Sequence, residues 1–199
     1  MKTKINVGIQ ETILKKSNQW FKIKIKEDGY KGFVQKKNYK PYIEPSHKVK
    51  ILKTTIYKSH NTRHKVNELT FGSKIRVIEK RLNFFKFEKG WIKHDSVEPI
   101  SFKEKNLFSK ISIFKNVKYK WGGKSFKGID CSALIQICLN FNKRYCPRDA
   151  KDQVKYFKND IKLNKVKKND IIFWKGHVAV AINNKKLIHA YGPMKKTVI

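Results

Sequence analysis

The sequence predicts an α+β protein, in which short strands fill the first half and one long helix precedes a small antiparallel sheet in the second. Three observations lead to this class. Segments of the first hundred residues alternate apolar and polar side chains and are separated by Gly- and Pro-containing turns. Residues 132–141 are mostly apolar without Gly or Pro, as in a buried helix. Three short strand-like segments follow at residues 171–174, 177–182 and 186–191.

Two small all-β barrels are expected in the first hundred residues. In the first, a strand at 20–26 is followed by a turn at 27–30 and a strand from Lys31. Pro41 and Pro45 bracket a linker. The second contains further strands at residues 49–57, 69–73, 74–80, 84–88 and 90–93. Gly32-Phe-Val and Gly90-Trp-Ile mark a weak internal repeat of about 50 residues, which favours two related barrels.

The pattern changes near residue 101, where a third unit is expected to begin. Residues 101–114 predict a helix, and residues 149–157 predict a shorter helix after the buried one. We therefore expect three units, at residues 1–43, 44–100 and 101–199.

The composition excludes several other classes of protein. Forty per cent hydrophobic residues are enough for a packed core, which excludes a largely disordered chain. Three cysteines are too few for a disulfide framework, and no Cys-x-x-Cys pair predicts a zinc site. No apolar run reaches membrane-spanning length, and the first residues lack the apolar region of a secretory signal. We expect a cytoplasmic protein with no metal, no organic cofactor and no membrane contact.

The net charge of +32 invites a nucleic-acid hypothesis. However, only five of the 47 basic residues are arginine, the residue that makes bidentate base contacts, and the charge is spread along the whole chain. This favours a solvated lysine coat over a specific nucleic-acid surface. The positive field would still attract anionic ligands, including carboxylate-rich peptides.

Candidate catalytic groups occur in three segments, Gly-Ile-Asp-Cys-Ser at 128–132, Gly-His-Val-Ala-Val at 176–180 and Ile-His-Ala at 188–190. Asp130 and Ser132 are helix-capping residue types, so Cys131 is expected in the first helical turn. There, unpaired N–H groups and the helix dipole favour the thiolate and can stabilise an oxyanion. A lone cysteine is usually a buried small residue, and Cys138 and Cys146 are expected to be of that kind.

The two histidines are expected to share one face of a β-hairpin. His177 and His189 are both odd-numbered, which puts them on one face only if the loop has an odd length or a bulge intervenes. A three-residue loop at 183–185 meets this condition, because asparagine tolerates a left-handed conformation. His189 then lies opposite Ala179 and diagonal to His177, about 7–8 Å away. A base and an orienting residue beside Cys131 indicate cysteine nucleophile catalysis.

At these residues the sequence resembles the NlpC/P60 family of papain-like cysteine peptidases. The resemblance covers residues 100–199. It rests on six segments in order: Tyr119-Lys-Trp-Gly-Gly, Gly128-Ile-Asp-Cys-Ser-Ala-Leu-Ile-Gln, Pro147-Arg-Asp-Ala-Lys-Asp-Gln, Asp170-Ile-Ile-Phe-Trp, Gly176-His-Val-Ala-Val and Leu187-Ile-His-Ala. The two β units resemble the bacterial SH3-like domains that precede such peptidases.

The resemblance implies the papain-like fold and four catalytic positions. Cys131 would be the nucleophile, His177 the base and His189 the third, orienting residue. Tyr119 matches a tyrosine near the oxyanion site. No metal or cofactor is implied.

The resemblance also implies a substrate and the residues that bind it. Family members of this type cut γ-D-glutamyl–diamino acid bonds in murein peptides, which would make L-Ala-γ-D-Glu-diamino acid peptides the substrate in cell-wall recycling. Asp130 matches the acidic residue that receives the free amine of the N-terminal L-Ala. Ser132, Arg148 and Asp149 fall in segments that line the substrate cleft.

Two other functions remain open from the sequence. One is a catalytically weak SH3-like protein that binds cell-wall or other anionic polymers. The other is nucleic-acid binding through the lysine coat, which predicts a strong dependence of affinity on salt.

Overall fold

The computed structural model of the protein describes residues 10–36, 41–60 and 64–199. Within these ranges the chain forms 17 strands, two α-helices and three short 3-10 helices. The strands up to residue 99 form sheets without an α-helix, and the rest of the chain combines both helices with an antiparallel sheet. The predicted α+β class is confirmed.

The first sheet is a three-stranded antiparallel meander. It contains β1 (Glu11–Lys16), β2 (Trp20–Ile25) and β3 (Lys31–Gln35) in that order. The turn predicted at 27–30 joins β2 to β3, and Gly29 there has a φ of +73°, which a side chain would strain. The predicted strands at 20–26 and from Lys31 are therefore confirmed.

Eight short strands between residues 47 and 99 form two further sheets. The strands are β4 (His47–Val49), β5 (Lys53–Tyr57), β6 (Lys65–Thr70), β7 (Lys74–Ile75), β8 (Glu79–Arg81), β9 (Phe84–Phe87), β10 (Gly90–Lys93) and β11 (Val97–Pro99). One sheet has the order β6-β5-β10-β9-β8 and the other β11-β4-β7. Among the described residues, the two halves of the proposed repeat are thus unequal, with three strands against eight.

The prediction of continuous strands at 49–57 and 74–80 is wrong. Each is two strands, because the chain passes from one sheet to the other at residues 50–52 and again at 76–78. At the first crossing, the Lys50 N–H bond to the Ser96 carbonyl extends the β4–β11 pairing, and the Phe71 N–H bond to the Leu52 carbonyl already belongs to the β5–β6 pairing. Such corners depend on long-range pairing, which residue alternation does not reveal.

The helix predicted at 101–114 is also wrong. This segment consists of turns and a single 3-10 helix at Ile111–Phe114. Side chains satisfy backbone N–H groups that a helix would use: Asn142 Oδ1 accepts from Glu104 N at 2.7 Å, and Asn106 Oδ1 from Phe108 N at 2.9 Å. Such local hydrogen bonds compete with helix formation.

The second half contains the two helices and a four-stranded sheet. Helix α1 (Cys131–Phe141) follows a two-stranded ribbon of β12 (Lys124–Ser125) and β13 (Gly128–Ile129). Helix α2 (Ala150–Tyr156) comes next. The antiparallel sheet then runs in the order β14 (Ile171–Trp174), β15 (His177–Ala181), β16 (Leu187–Tyr191) and β17 (Lys196–Val198).

Helix α1 is buried along its whole length, as its composition predicts. It packs on β15 and β16, and its apolar side chains form the centre of the largest core. Phe71, from the all-β half, belongs to this same core and stacks on Phe141 with ring centres 4.6 Å apart. The all-β half therefore buttresses the helix that carries Cys131. Across the described ranges, no helix is both long and apolar enough to span a lipid bilayer.

Candidate active site

Cys131 is the first residue of α1, at the helix N-terminus. Asp130 is the N-cap, with extended backbone dihedrals, and its Oδ1 accepts from Ala133 N at 2.8 Å. Cys131 is only 6% exposed. The backbone N–H groups of Val178, Ser132 and Cys131 itself face its sulfur and favour the thiolate. The Val178 amide directly follows His177, so the thiol lies against the start of β15. The position predicted for Cys131 is thus confirmed.

The protonation of this thiol differs from the expectation. Burial raises the pKa of Cys131, and the neighbouring Asp130 carboxylate raises it further. The three backbone N–H groups lower the pKa but do not outweigh burial. The resting group is therefore a neutral thiol, which needs a base to remove its proton.

The two predicted histidines meet in a short hydrogen bond. His177 Nε2 lies 2.7 Å from His189 Nδ1, and both rings are half-buried. Burial lowers the pKa of both imidazoles, and the charge of His189 lowers that of His177 further. Both histidines are therefore neutral at neutral pH, the state in which His177 can accept a proton.

The hairpin has the register that the sequence predicts. Val180 pairs with Ile188 and Ala181 with Leu187, which sets His189 opposite Ala179 and diagonal to His177. The loop is the expected three residues at 183–185, closed by the Ile182 N–H bond to the Lys186 carbonyl.

The loop closes by a mechanism other than the expected one. Residues 183–185 do not adopt a left-handed backbone. Instead, Asn183 Oδ1 accepts from the N–H groups of Lys185 and Lys186 at 2.8 and 2.7 Å. The asparagine thus contributes a side-chain acceptor rather than a positive φ.

Two aromatic residues flank the histidines and were not singled out from the sequence. Tyr191 stacks on His189 with ring centres 4.8 Å apart and lies 5.9 Å from the His177 ring. Trp174 pairs with His177 across β14 and β15, with ring centres 5.7 Å apart. The signal for Tyr191 was available, because it is odd-numbered on the same strand as His189 and therefore shares its face.

Tyr119 lies beside Cys131. Its backbone bridges to Ile129, two residues before Cys131. Burial raises the pKa of its phenol, and the nearby Cys131 and Asp130 raise it further. The hydroxyl therefore stays protonated and is able to donate a hydrogen bond close to the thiol.

Asp130, Ser132 and Arg148 form one buried polar cluster. Arg148 Nη1 and Nη2 lie 3.0 and 2.6 Å from Asp130 Oδ1 and Oδ2, and Nη1 is also 2.9 Å from Ser132 Oγ. The Arg148 and Asp130 side chains are 2% and 8% exposed. This bidentate pair joins the helix start to the segment before α2.

The expected role of Asp130 as the acceptor of a substrate amine does not fit this cluster. Its two oxygens accept five hydrogen bonds, from Gly122 N, Ser132 Oγ, Ala133 N and both Arg148 nitrogens. A carboxylate has about four lone-pair sites, so a further amine would have to displace one of these donors. The hydrogen bonds of Asp130 therefore connect the start of α1 to Gly122 and Arg148.

Asp149 is the acidic residue of this segment that faces outward. It is half-buried at the N-cap of α2 and makes no side-chain capping bond. Its charge acts on the neighbouring Arg148. Within the described part of the chain, its carboxylate has no recorded hydrogen-bond donor, in contrast to Asp130.

The other two cysteines, Cys138 and Cys146, are buried and free. Cys138 and Cys146 are 1% and 0% exposed, and burial raises the pKa of Cys146 to about 12, as expected for structural cysteines. In residues 10–36, 41–60 and 64–199, no group of three or more His, Cys, Asp or Glu side chains is arranged to hold a metal ion. His60 follows β5 and His64 immediately precedes β6, so neither lies on a helix.

The chain is similar to several curated bacterial peptidases. It is 28% identical over 180 residues to the gamma-D-glutamyl-L-lysine dipeptidyl-peptidase of Bacillus subtilis, covering 81% of this chain and 60% of that protein. It is 36% identical over 72 residues to dipeptidyl-peptidase 6 of Lysinibacillus sphaericus, covering 36% of this chain and 27% of that protein. The chain thus spans less than two thirds of either relative.

One solved structure shares the fold of this chain, and a family model matches its C-terminal part. The structure superimposes on the crystal structure of an NlpC/P60 family protein from Bacillus cereus with a TM-score of 0.78 and 20% identity, over 94% of this chain and 72% of that one. The family model described as the NlpC/P60 family matches residues 116–198, which include Tyr119, Cys131, His177 and His189. Residues 116–198 of this chain are therefore an NlpC/P60 domain.

Proposed function

We propose that the protein is a cysteine peptidase that hydrolyses the γ-D-glutamyl–diamino acid bond of murein peptides through Cys131, His177 and His189. One observation carries the proposal: the 2.7 Å bond between the two imidazoles, at a strand whose next amide, Val178, donates to the Cys131 sulfur. The residue next to His177 in the chain thus contacts Cys131, and His177 itself is bonded to His189, an arrangement that suits a nucleophile, a base and an orienter. The two peptidases to which the chain is similar support the same reaction class.

In the proposed acylation step, His177 removes the Cys131 proton as the sulfur attacks the γ-glutamyl carbonyl. The base is competent because burial holds the pKa of His177 below its ordinary value, so the ring begins neutral. We assign the proton of the His177–His189 bond to Nε2 of His177, which then donates to His189 Nδ1 and leaves Nδ1 of His177 as the accepting nitrogen. The backbone N–H of Cys131 and the protonated Tyr119 hydroxyl stabilise the oxyanion.

In the second half of the reaction, the imidazolium of His177 returns the proton to the leaving amine of the diamino acid. The C–N bond breaks and a thioester to Cys131 remains. His177 then removes a proton from water, which attacks the thioester. Collapse of this intermediate releases the γ-glutamyl carboxylate, and His177 returns the proton to the sulfur.

We propose Asp149, rather than Asp130, as the acceptor for the free amine of the N-terminal L-Ala. Asp130 is saturated by protein donors, whereas Asp149 has open oxygens next to Arg148. The turn between β2 and β3 adjoins the same region. Its Asp28 accepts from Gln136 of α1 at 2.9 Å, and Tyr30 interacts electrostatically with Arg148. This turn is in position to limit the length of a bound peptide.

The test is hydrolysis of L-Ala-γ-D-Glu-L-Lys and of its meso-diaminopimelate counterpart, followed by mass spectrometry of the released L-Ala-γ-D-Glu. We expect product from the wild type and from Cys138→Ala, and none from Cys131→Ala. Cys138 is a matched control because it is a second buried cysteine on the same helix. If the wild type releases no more dipeptide than Cys131→Ala, the proposed function is wrong.

The amine anchor has its own test with the same peptides. N-acetylation of the L-Ala removes the positive charge, and we expect it to lower kcat/KM for the wild type on the order of tenfold to a hundredfold. Asp149→Asn should lose most of this discrimination. Equal discrimination by the wild type and Asp149→Asn would exclude Asp149 as the anchor.

A further inference from the structure

A cavity of about 350 Å³ lies between the all-β half and the C-terminal half of α1, away from Cys131. Ile137, Asn140 and Phe141 of α1 form one wall. Five cationic side chains also line it: Lys48, Lys74, Lys124, Lys143 and Arg144. None of these residues takes part in the proposed peptidase reaction.

Two of these lysines are buried without a carboxylate partner. Lys48 is 2% exposed and Lys124 is 5% exposed. Among the described residues, neither ammonium lies within ion-pair distance of an acidic side chain. A buried ammonium is costly unless an opposite charge compensates it. Burial lowers the pKa of both lysines, so an anion bound in the cavity would favour their charged form.

Part of the environment of Lys48 is explained by the fold. Its Nζ donates to the Phe102 and Phe141 carbonyls and lies over the Phe141 ring, 4.1 Å from the centroid. It thereby caps the C-terminus of α1, where a cation is favoured. Lys124 has no such role, because its Nζ contacts only a neutral acceptor, Gln136 Oε1, at 2.6 Å.

Asn140 provides an independent sign of a ligand. It is 9% exposed, lines the cavity, and neither its Oδ1 nor its Nδ2 has a hydrogen-bond partner within the described part of the chain. A buried amide without partners loses its hydrogen bonds to water without replacement, which native proteins rarely tolerate. One amide offers both a donor and an acceptor to a molecule in the cavity.

The acidic residues of the cavity do not neutralise its charge. Glu27 is paired with Lys74 at 2.7 Å. Glu44 is hydrogen-bonded to the Tyr42 hydroxyl. Burial raises the pKa of that phenol, and the bond to Glu44 raises it further. Lys143 and Arg144 are exposed at the cavity rim and have no ion-pair partner in the described ranges. The lining thus has five basic side chains against two carboxylates, and Asp28, Glu98 and Glu104 outside the lining only partly oppose the effect of burial on Lys124 and Lys48.

We propose that this cavity is a binding site for a small organic dianion of the phosphate-monoester or dicarboxylate class. The anionic group would lie between Lys124, Lys48 and Lys143, and Asn140 would hydrogen-bond to it or to an adjacent hydroxyl. The volume is within the usual range of small-ligand sites, about 300–1,000 Å³. Lysines suit such a group because ammonium ions act as compact point charges for phosphate and carboxylate oxygens.

The electrostatics of Lys48 agree with an anion site. Burial, with the charges of Lys143 and Lys74, lowers the pKa of Lys48 to about 8, and Glu104 and Glu98 only partly oppose this. A bound anion would raise that pKa again and keep the ammonium protonated.

The test uses the whole chain and isothermal titration calorimetry at constant ionic strength. The probes are glucose 6-phosphate, glucose as its uncharged match, and glutarate as a dicarboxylate. We expect saturable binding of an anion and none of glucose. Whichever of glucose 6-phosphate and glutarate binds more tightly shows whether the site prefers a phosphate monoester or a dicarboxylate. In ¹⁵N-labelled protein, the Asn140 side-chain amide resonance, assigned by its loss in Asn140→Leu, should shift on binding.

Matched variants separate a built site from diffuse attraction to the lysine coat. Lys143→Glu reverses a charge at the cavity, and Lys185→Glu makes the same change on the exposed hairpin loop. We expect Lys143→Glu to weaken anion binding at least tenfold and Lys185→Glu to change it less than twofold. Equal weakening by both variants, or no saturable binding of either anion at millimolar concentrations, would overturn the proposal. Peptidase activity is not part of this test, so either proposal is able to fail alone.

Discussion

His177 Nε2 and His189 Nδ1 lie 2.7 Å apart on adjacent strands. Because burial lowers the pKa of both imidazoles, both are neutral at neutral pH. One of the two bonded nitrogens therefore carries a proton and the other accepts the hydrogen bond. When His177 holds that proton on Nε2, its Nδ1 accepts. With His189 Nδ1 as the acceptor, this bond holds His177 in the tautomer that is able to act as a base.

This relationship predicts the ranking of three substitutions at His189. We expect His189→Ala to lower kcat/KM on the order of 10²-fold, because the base loses its fixed orientation. Asn places an acceptor near the position of Nδ1 and should retain more activity than Ala. Gln is the matched control, because its longer side chain carries the same amide beyond the position of Nδ1. It should retain less activity than Asn. Steady-state kinetics with the L-lysine tripeptide measure this ranking, and equal losses for Ala and Asn would contradict the tautomer argument.

The buried thiol predicts how Cys131 reacts with iodoacetamide. Because burial and Asp130 raise its pKa, the alkylation rate should rise with pH through a midpoint above the ordinary value of 9.0. Peptide mapping separates Cys131 from Cys138 and Cys146, which should react much more slowly because they are buried. A midpoint at or below neutral pH would instead indicate a resting thiolate–imidazolium pair.

The lowered pKa of His177 predicts the acid side of the pH–activity profile. The base works in its neutral form, so activity is lost as the pH falls through its pKa in the free enzyme. Burial and His189 place that pKa below the ordinary 6.5. We expect the acid limb of kcat/KM to have its midpoint below pH 6.5. A midpoint above this value would show that the imidazole is stabilised in its charged form.

The Asp130–Arg148 pair predicts a large effect on stability. Arg148→Met should lower the free energy of unfolding by about 3–5 kcal/mol, because it leaves the Asp130 carboxylate buried without its partner. Adding Asp130→Asn should recover part of this loss, since the amide oxygen still caps Ala133. Lys53→Met, which breaks the exposed pair with Glu68, is the control and should cost less than about 1 kcal/mol. Urea unfolding gives all four values, and a similar cost for both single variants would contradict the buried-pair account.

The hairpin loop predicts unequal roles for two adjacent asparagines. Asn183→Ala removes the acceptor for the Lys185 and Lys186 amides and should destabilise the protein by about 0.5–1.5 kcal/mol. Asn184→Ala removes no recorded bond and should be nearly neutral. Thermal or urea unfolding compares the two. An equal effect would mean that Asn183 does not close the loop.

Several features of the site follow from local sequence. The apolar run after Cys131 predicts α1, because a segment that is apolar on all sides must be buried. The odd numbers of His177 and His189, with a three-residue loop, predict their shared face, because side chains alternate along strands. Each inference depends on residues close in sequence, and each is confirmed by the structure.

Other features were wrong or missed because they depend on distant residues. The segment 101–114 has helix-compatible composition, but Asn142, far along the chain, takes one of its N–H groups. The strand predicted at 49–57 divides because its two ends pair in different sheets. The bidentate pair of Asp130 and Arg148 was missed as well, because the two residues lie 18 positions apart in the sequence.

The sequence by itself determined the cysteine at the helix start, the histidine pair and its register, because strand alternation and helix capping act within a few residues. Only the tertiary structure decided the protonation of Cys131, the saturation of Asp130 and the cationic cavity behind α1. These depend on burial and on charges brought together from segments far apart in the chain, and neither quantity is a property of local sequence.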